Sequence, residues 1–453
     1  MIDIKSFKGV LPKNGKKLHI ETYGCQMNTT DSEIVISILE AEGYTYTENV
    51  HQADVILINT CSIRDNAEQR IFGRLGDFKR FKKERDGVVV GVIGCMAERL
   101  KEDLMTKDMV VDIVAGPDAY RRLPTLIEQA MHGQRSIDVV LDIDETYHEI
   151  TPVRLDKNGV SAFVAIMRGC NNFCTYCVVP YTRGRERSRK PSTIIGEVRD
   201  LYSKGYKEVT LLGQNVNSYK WEENGETIDF PTLVSMTASV GNDLRVRFST
   251  SHPKDISDSL IEVIARHKNV CNSIHLPAQS GNDRILKLMN RHYNRAWYME
   301  RIAKIRELIP DCTISTDIIA GFCSETEEEH KDTISLMQEV GYILAYMFKY
   351  SERPNTKAHL TMKDDVSEEV KTRRLSEIID IQRDLSLKSN KQEVGKSFEV
   401  LAESFSKRSD DMLVGRTEYN KVVVFPREGH KIGDYVNVEI TDCTSGTLIG
   451  VIR

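Results

Sequence analysis

The feature that most constrains this chain is the loop from Arg168 to Pro180, which reads RGCNNFCTYCVVP and carries Cys170, Cys174 and Cys177 at the spacing C-x3-C-x2-C. Three thiolates this close together can close on a polynuclear iron-sulfur centre while leaving one metal position open for chemistry. A structural zinc cage needs a fourth ligand. No Cys or His lies between Cys177 and His252, so zinc would require a ligand brought from far along the chain. With 453 residues the chain has room for two or three domains, and ten Cys, three of them at metal-ligand spacing, argue for reduced thiols rather than a secreted disulfide framework. The opening stretch MIDIKSFKGVLPKNGKK lacks the apolar core of a signal peptide, and no run approaches the roughly 18 apolar residues of a membrane span. The expectation is a cytoplasmic protein with no membrane association. A net charge of -5 means that any nucleic-acid surface must be local.

In the first third, KLHIETY runs into Gly24 and Cys25, DVILINT into Cys61, and GVVVGVIG into Cys95. Each is a short, mostly apolar run suited to a strand buried on both faces, and a helical stretch follows each one, so the pattern is a repeated βα unit in a parallel sheet. VVDIVAG, at 110 to 116, reads as a fourth strand. The three Cys are 36 and 34 residues apart, about one unit each time, and each falls just past a strand's carboxyl end, where open α/β sheets bind ligands. Any one of them could be core filling, since free Cys is often buried; three at equivalent positions point to a second metal site.

From 160 to about 390, strand-like runs near 163 to 167, 208 to 213, 245 to 250, 272 to 277, 312 to 319 and 343 to 350 alternate with amphipathic segments. Six such units predict a partial parallel (βα)6 barrel with its chemistry at the carboxyl ends of the strands. After the cluster loop, TRGRERSRK (182 to 190) holds five positive charges and one negative, a match for phosphates that draws Arg183, Arg185, Arg187 and Arg189 towards RNA binding. The segment from Arg70 to Arg85 adds seven Lys or Arg against two acids. LSLKSNKQEVGKS, at 385 to 397, reads as a linker, and five short strands then predict a small oligonucleotide-binding type of β-barrel. That barrel has nine basic and ten acidic residues, so binding there would rest on Arg416, Lys421 and stacking by Tyr419 or Phe425 rather than on bulk charge.

The cluster loop resembles the signature of the radical S-adenosylmethionine (AdoMet) enzymes. ETYGCQMNTTDSE, INTCSIRDNAEQR and GVIGCMAERL are similar to the N-terminal domain of the methylthiotransferases, and the last sixty residues resemble a TRAM domain, an RNA-binding appendage, a resemblance that makes 415 to 420 the implied binding loop. The resemblance implies an α/β architecture of three domains: 16–133 with an auxiliary cluster, 156–388 the radical AdoMet barrel, and 391–453 the TRAM barrel. It implies two 4Fe-4S clusters, one on Cys170, Cys174 and Cys177 that binds AdoMet, and one on Cys25, Cys61 and Cys95 whose open iron carries the sulfur to be methylated. Tyr176, Gln214, Asn215, Ser251, Gln279 and Asp317 are the implied AdoMet contacts. The implied reaction is methylthio insertion at carbon 2 of N6-isopentenyladenosine next to the anticodon of tRNA. One AdoMet serves as methyl donor and one as radical source, and an aromatic C–H without useful acidity explains the need for a radical. The implied partners are that tRNA and an electron donor such as flavodoxin, with the protein a monomer. Alternatives are a methylthiotransferase acting on threonylcarbamoyladenosine or on a ribosomal protein side chain, and a non-catalytic iron-sulfur RNA-binding protein. Arg168 departs from the acidic residue expected there, and Arg185 and Arg187 add positive charge where the family often has less.

Overall fold

The structure is a computed structural model that describes residues 14–61, 65–106, 109–156 and 158–453, without the side chains of 65–69. The opening residues 1–13 and part of the INTCSIRDNAEQR motif lie outside the described residues. The chain forms two compact units, Met1–Leu155 with Val178–Arg187, and Asp156–Cys177 with Ser188–Arg453.

The first unit is built on a parallel sheet of β1 (Lys17–Tyr23), β2 (Thr45–Tyr46), β3 (Val55–Thr60), β4 (Val89–Ile93), β5 (Ile113–Ala115) and β6 (Ser136–Asp138), in the order β2-β1-β3-β4-β5-β6. All residues of β3 and β4 are buried, as the continuous apolar runs require of central strands. Alternate residues serve the two faces. Val55 and Leu57 pack with Ile34, Val35 and Leu39 of α1 (Gln26–Ala41), whereas Ile56 and Ile58 pack with Ile71, Leu75 and Phe78 of α2 (Asp65–Glu84). Each such side chain contributes about 1.5–3 kcal/mol on burial. Two details differ from the sequence reading. The edge strands β2 and β6 are too short to show a period, and the third covering helix ends early, with α3 (Cys95–Leu100) passing into a 3-10 turn over Lys101–Met105.

The second unit contains six parallel strands in two groups, Arg245–Ser249, Glu208–Leu212 and Ser161–Ala165 in one, and Ser273–His275, Thr313–Ala320 and Leu344–Lys349 in the other. A parallel bridge between Val246 and Val270 joins the groups. This is the expected partial barrel. The helix Glu368–Lys391 runs through the first half of the expected linker. Two of its polar residues there are anchored rather than solvated, Ser386 Oγ donating to the Ile343 carbonyl at 2.8 Å and Asn390 Nδ2 to the Thr444 carbonyl at 2.9 Å. The last five strands, Ser397–Ser406, Ser409–Arg416, Val422–Pro426, Tyr435–Cys443 and Leu448–Ile452, close a barrel around Val400, Leu413, Phe425 and Val438.

Candidate functional site

Cys25, Cys61 and Cys95 follow the carboxyl ends of β1, β3 and β4, three neighbouring strands about 5 Å apart. Gly24 (φ +132°) and Gly94 (φ +89°) turn the chain into two of these positions. A Cβ on Gly24 would stand 2.6 Å from both Cys61 Cβ and Asn28 Oδ1, so only glycine lets the loops approach this closely. Underneath, Asn28 Nδ2 donates to Asn59 Oδ1 at 3.0 Å, and Asn59 Nδ2 returns a bond to the Asn28 carbonyl at 2.8 Å. The Cys25 thiol is pushed down to about 6, first by its hydrogen bond with Cys61 and then, against burial, by the charge of Arg183. Arg183 Nε donates to Cys95 Sγ at 3.1 Å and Nη2 to Asp31 at 2.7 Å, while the buried Nη1 has no hydrogen-bond partner. Thiolate-forming Cys, a buried cation and an unmatched donor fit an anionic iron-sulfur cluster. Among the described residues no three His, Cys, Asp or Glu converge on a single metal ion; a four-iron cluster asks less, since each thiolate ends on a different iron.

In the second unit Cys170 and Cys174 are buried and Cys177 is half-buried, and Arg291 Nη1 donates to Cys174 Sγ at 3.2 Å. The carboxyl ends of the barrel strands hold a group of buried polar atoms without partners: both amide atoms of Gln214 and Asn217, Asn215 Oδ1, Ser251 Oγ and His252 Nε2. Each unpaired group costs about 1–3 kcal/mol, so this concentration fits a polar ligand such as AdoMet that would complete the bonds. Asn217 and Arg291 were not singled out from sequence, and His252, which with Ser251 follows the third barrel strand, was not among the implied AdoMet contacts. The Lys254 N–H donates to His252 Nδ1 at 3.3 Å, which leaves the proton on Nε2, and burial together with Arg291 keeps the ring neutral by lowering its pKa. Gln279 has φ +69°; its N–H donates to the Asp317 carbonyl at 2.8 Å, and its side chain is buried. Tyr176 meets Phe322 edge-on at 6.4 Å, and burial raises its phenol pKa well above the ordinary value. On the last strand Ala345 and Met347 pack into the core, so Leu344, Tyr346 and Phe348 share the opposite face with Ser315 and Asp317, their neighbours in register. These three apolar side chains are 38–47% exposed, and Tyr346 meets His275 edge-on at 5.7 Å.

Residues 17–116 match the uncharacterized protein family UPF0004, residues 164–337 the radical SAM superfamily and residues 391–452 the TRAM domain. The tRNA-2-methylthio-N(6)-dimethylallyladenosine synthase of Phocaeicola vulgatus is 58% identical over 445 residues, covering 98% of this chain and 97% of that protein. That of Bacteroides thetaiotaomicron is 57% identical over 445 residues, covering 98% of each. The chain belongs to the tRNA-2-methylthio-N(6)-dimethylallyladenosine synthase family. In fold it is similar to the radical S-adenosylmethionine methyltransferase TsrM from Kitasatospora setae, with TM-score 0.53 and 11% identity over 76% of this chain and 75% of that one. The cobalamin-dependent radical enzyme OxsB gives 0.52 and 11%, over 82% and 56%.

The basic residues of this synthase family member are placed differently from the sequence reading. Arg183 and Arg187 are 3% and 8% exposed; Arg187 Nη2 pairs with Asp118 at 3.0 Å, and Arg189 is buried against Glu197. Their charges are committed to buried carboxylates, a geometry that does not offer them to phosphate, whereas Arg185 is exposed. In the TRAM barrel the segment 415 to 420 docks on the amino ends of the radical AdoMet barrel strands. Arg245 Nη1 donates to the Arg416 carbonyl and Arg247 Nη2 to the Thr417 carbonyl, both at 2.8 Å, and Thr313 Oγ1 to the Tyr419 carbonyl at 2.9 Å. Lys421 is buried on Glu393 at 2.8 Å, Phe425 is core, and Arg416 is held by Asn420 at 2.9 Å and Glu403 at 3.3 Å. The segment expected to bind RNA is a docking seam. On α2, Arg74 pairs with Glu21, Lys82 with Asp112 and Arg85 with Asp54, and Arg70, Lys79, Arg80 and Lys83 are exposed. Among the described residues no helix is long and apolar enough to cross a membrane.

Proposed function

We propose that this chain is a radical AdoMet methylthiotransferase that places a methylthio group on carbon 2 of N6-isopentenyladenosine next to the anticodon of tRNA. The observation that carries the reading is the arrangement of Cys25, Cys61 and Cys95 after three neighbouring strand ends, in addition to the triad of the cluster loop. A second set of thiolates is what sulfur insertion needs beyond AdoMet cleavage. When bound, the loop cluster would supply the electron that cleaves AdoMet to a 5'-deoxyadenosyl radical, and the auxiliary cluster would carry the sulfur that is methylated and transferred. Cys170, Cys174 and Cys177 would hold the first and Cys25, Cys61 and Cys95 the second.

Around AdoMet, Gln214, Asn215, Asn217, Ser251 and His252 bring donors and acceptors that have no protein partner, and Gln279, Asp317 and Tyr176 complete the proposed contacts. Leu344, Tyr346 and Phe348 offer an apolar face beside Asp317, suited to an adenine ring and a five-carbon prenyl chain. The exposed Arg185 and the exposed basic face of α2 are the surfaces suited to the RNA backbone. An electron donor such as flavodoxin, a cytoplasmic location and a monomeric state complete the reading.

The test is anaerobic turnover with AdoMet and reductant on an isopentenylated anticodon stem-loop, an unmodified stem-loop and a ribosomal protein substrate, read by mass spectrometry. A methylthio product on the isopentenylated RNA alone is expected. Product on the protein, or on the unmodified RNA at equal rate, would overturn the substrate assignment.

A further inference from the structure

The sequence places Arg183 in a basic run facing RNA; the fold buries it among the first unit's cysteines. Its guanidinium is fixed by two hydrogen bonds and its backbone by a third. Nε donates to Cys95 Sγ, and Nη2 donates to Asp31, which is fully buried on α1 and also accepts from the Tyr120 hydroxyl at 3.2 Å. The Arg183 carbonyl accepts from Arg187 Nη2 at 3.2 Å, and Arg187 is itself anchored on Asp118. What this leaves over is Nη1, buried and without a hydrogen-bond partner, on a side chain only 3% exposed. A buried donor of a charged group is costly to leave unmatched, and guanidinium is the side chain suited to bridging two neighbouring anions.

We propose that Arg183 is the hydrogen-bond donor to the sulfur of the auxiliary cluster, a positioning residue that fixes Cys95 Sγ through Nε and directs Nη1 to the cluster's own anionic sulfur. This rests on the reading of Cys25, Cys61 and Cys95 as the ligands of that cluster. Positive charge and hydrogen bonds to the sulfurs stabilise the reduced state, so Arg183 raises the reduction potential and keeps the cluster's sulfur from carrying its full negative charge. Asp31 has the complementary task of keeping the guanidinium in plane with Cys95, and Lys could not replace it, having one ammonium for two anions.

The experiment uses the full chain with Cys170, Cys174 and Cys177 all changed to Ala, reconstituted anaerobically so that only the auxiliary cluster forms. Iron is counted, the reduction potential is followed by electron paramagnetic resonance, and coupling to exchangeable protons is read after transfer to heavy water. Arg183→Met, Arg183→Lys and Asp31→Asn are compared with the parent. Arg183→Met is expected to lower the ratio of reduced to oxidised cluster at fixed potential at least tenfold, or 59 mV for one electron, and to lose an exchangeable-proton coupling. Arg183→Lys should recover only part of the shift, and Asp31→Asn should weaken the coupling with Arg183 present. Full iron with unchanged potential and coupling in Arg183→Met would overturn the proposal. If Arg183→Met does not take up iron, Arg183→Lys decides: potential and coupling equal to the parent's would overturn the proposal equally. A parent that binds no iron would instead defeat the ligand reading, and the role of Arg183 with it.

Discussion

Replacing Gly94 with Ala perturbs the first unit at the point where the three cysteine loops meet. Gly94 has φ +89° and ψ -159°, a region essentially reserved for glycine, where another residue costs about 1–3 kcal/mol. The added Cβ would also stand 2.5 Å from Asn59 Oδ1 and 3.0 Å from the Thr60 carbonyl. Asn59 cannot swing away freely, because it is fully buried and exchanges hydrogen bonds with Asn28 and with Ser32 Oγ at 3.0 Å. Losing two of these bonds costs about 1 kcal/mol each, giving about 3–5 kcal/mol in all. That is a large fraction of the roughly 5–15 kcal/mol that holds a domain folded, and it falls beside Cys95, Cys61 and the Asn28 that supports Cys25. The protein has two Trp, Trp221 and Trp297, both in the second unit, so their emission reports that unit while circular dichroism reports both. Gly94→Ala is expected to shift the dichroism transition, leave the Trp transition in place, and cut reconstituted iron from about eight per chain to about four, with AdoMet cleavage retained. Eight irons and an undiminished methylthio yield would refute the reasoning.

Cys174→Ala is expected to abolish AdoMet cleavage, whereas Cys61→Ala leaves cleavage and stops sulfur insertion; chromatography of 5'-deoxyadenosine alongside RNA mass spectrometry separates the two. Asn217→Ala removes one hydrogen bond to AdoMet, about 1.4 kcal/mol, so its dissociation constant by calorimetry should rise about tenfold while RNA affinity holds. Tyr346→Ala takes away part of the face proposed for the prenyl chain, and binding of the isopentenylated stem-loop should weaken about tenfold, with the unmodified stem-loop unaffected. Arg245→Met with Arg247→Met removes charge-assisted bonds across the TRAM seam, each about 1.5–3 kcal/mol, so limited proteolysis should release the last sixty residues sooner; equal protease resistance would count against a docked barrel.

The βα repeat and the partial barrel were legible because central strands of a parallel sheet are near-continuous apolar runs, as VILI at the start of β3 and VVGVI are. The spacing of Cys25, Cys61 and Cys95 was legible because a βα unit has a characteristic length and strand ends recur with it, whereas Cys170, Cys174 and Cys177 announce themselves within one loop. Short edges were not, because Thr45–Tyr46 and Ser136–Asp138 offer too few residues to establish a period. The last turns of the helix Glu368–Lys391 were missed, since Ser386 and Asn390 read as linker polarity until their carbonyl partners at Ile343 and Thr444 are seen.

What the sequence alone determined is the set of groups capable of the chemistry, because thiol spacing and strand-end position are local properties of the chain. What only the tertiary structure decided is where the charges go. A run such as TRGRERSRK has the same composition on a phosphate-binding surface as around buried carboxylates, and Asp31 and Asp118, which claim Arg183 and Arg187, lie 152 and 69 residues away in sequence. A buried charge is stable only beside its counter-charge, and which residues meet inside the protein is settled by the packing of whole elements, not by neighbours along the chain.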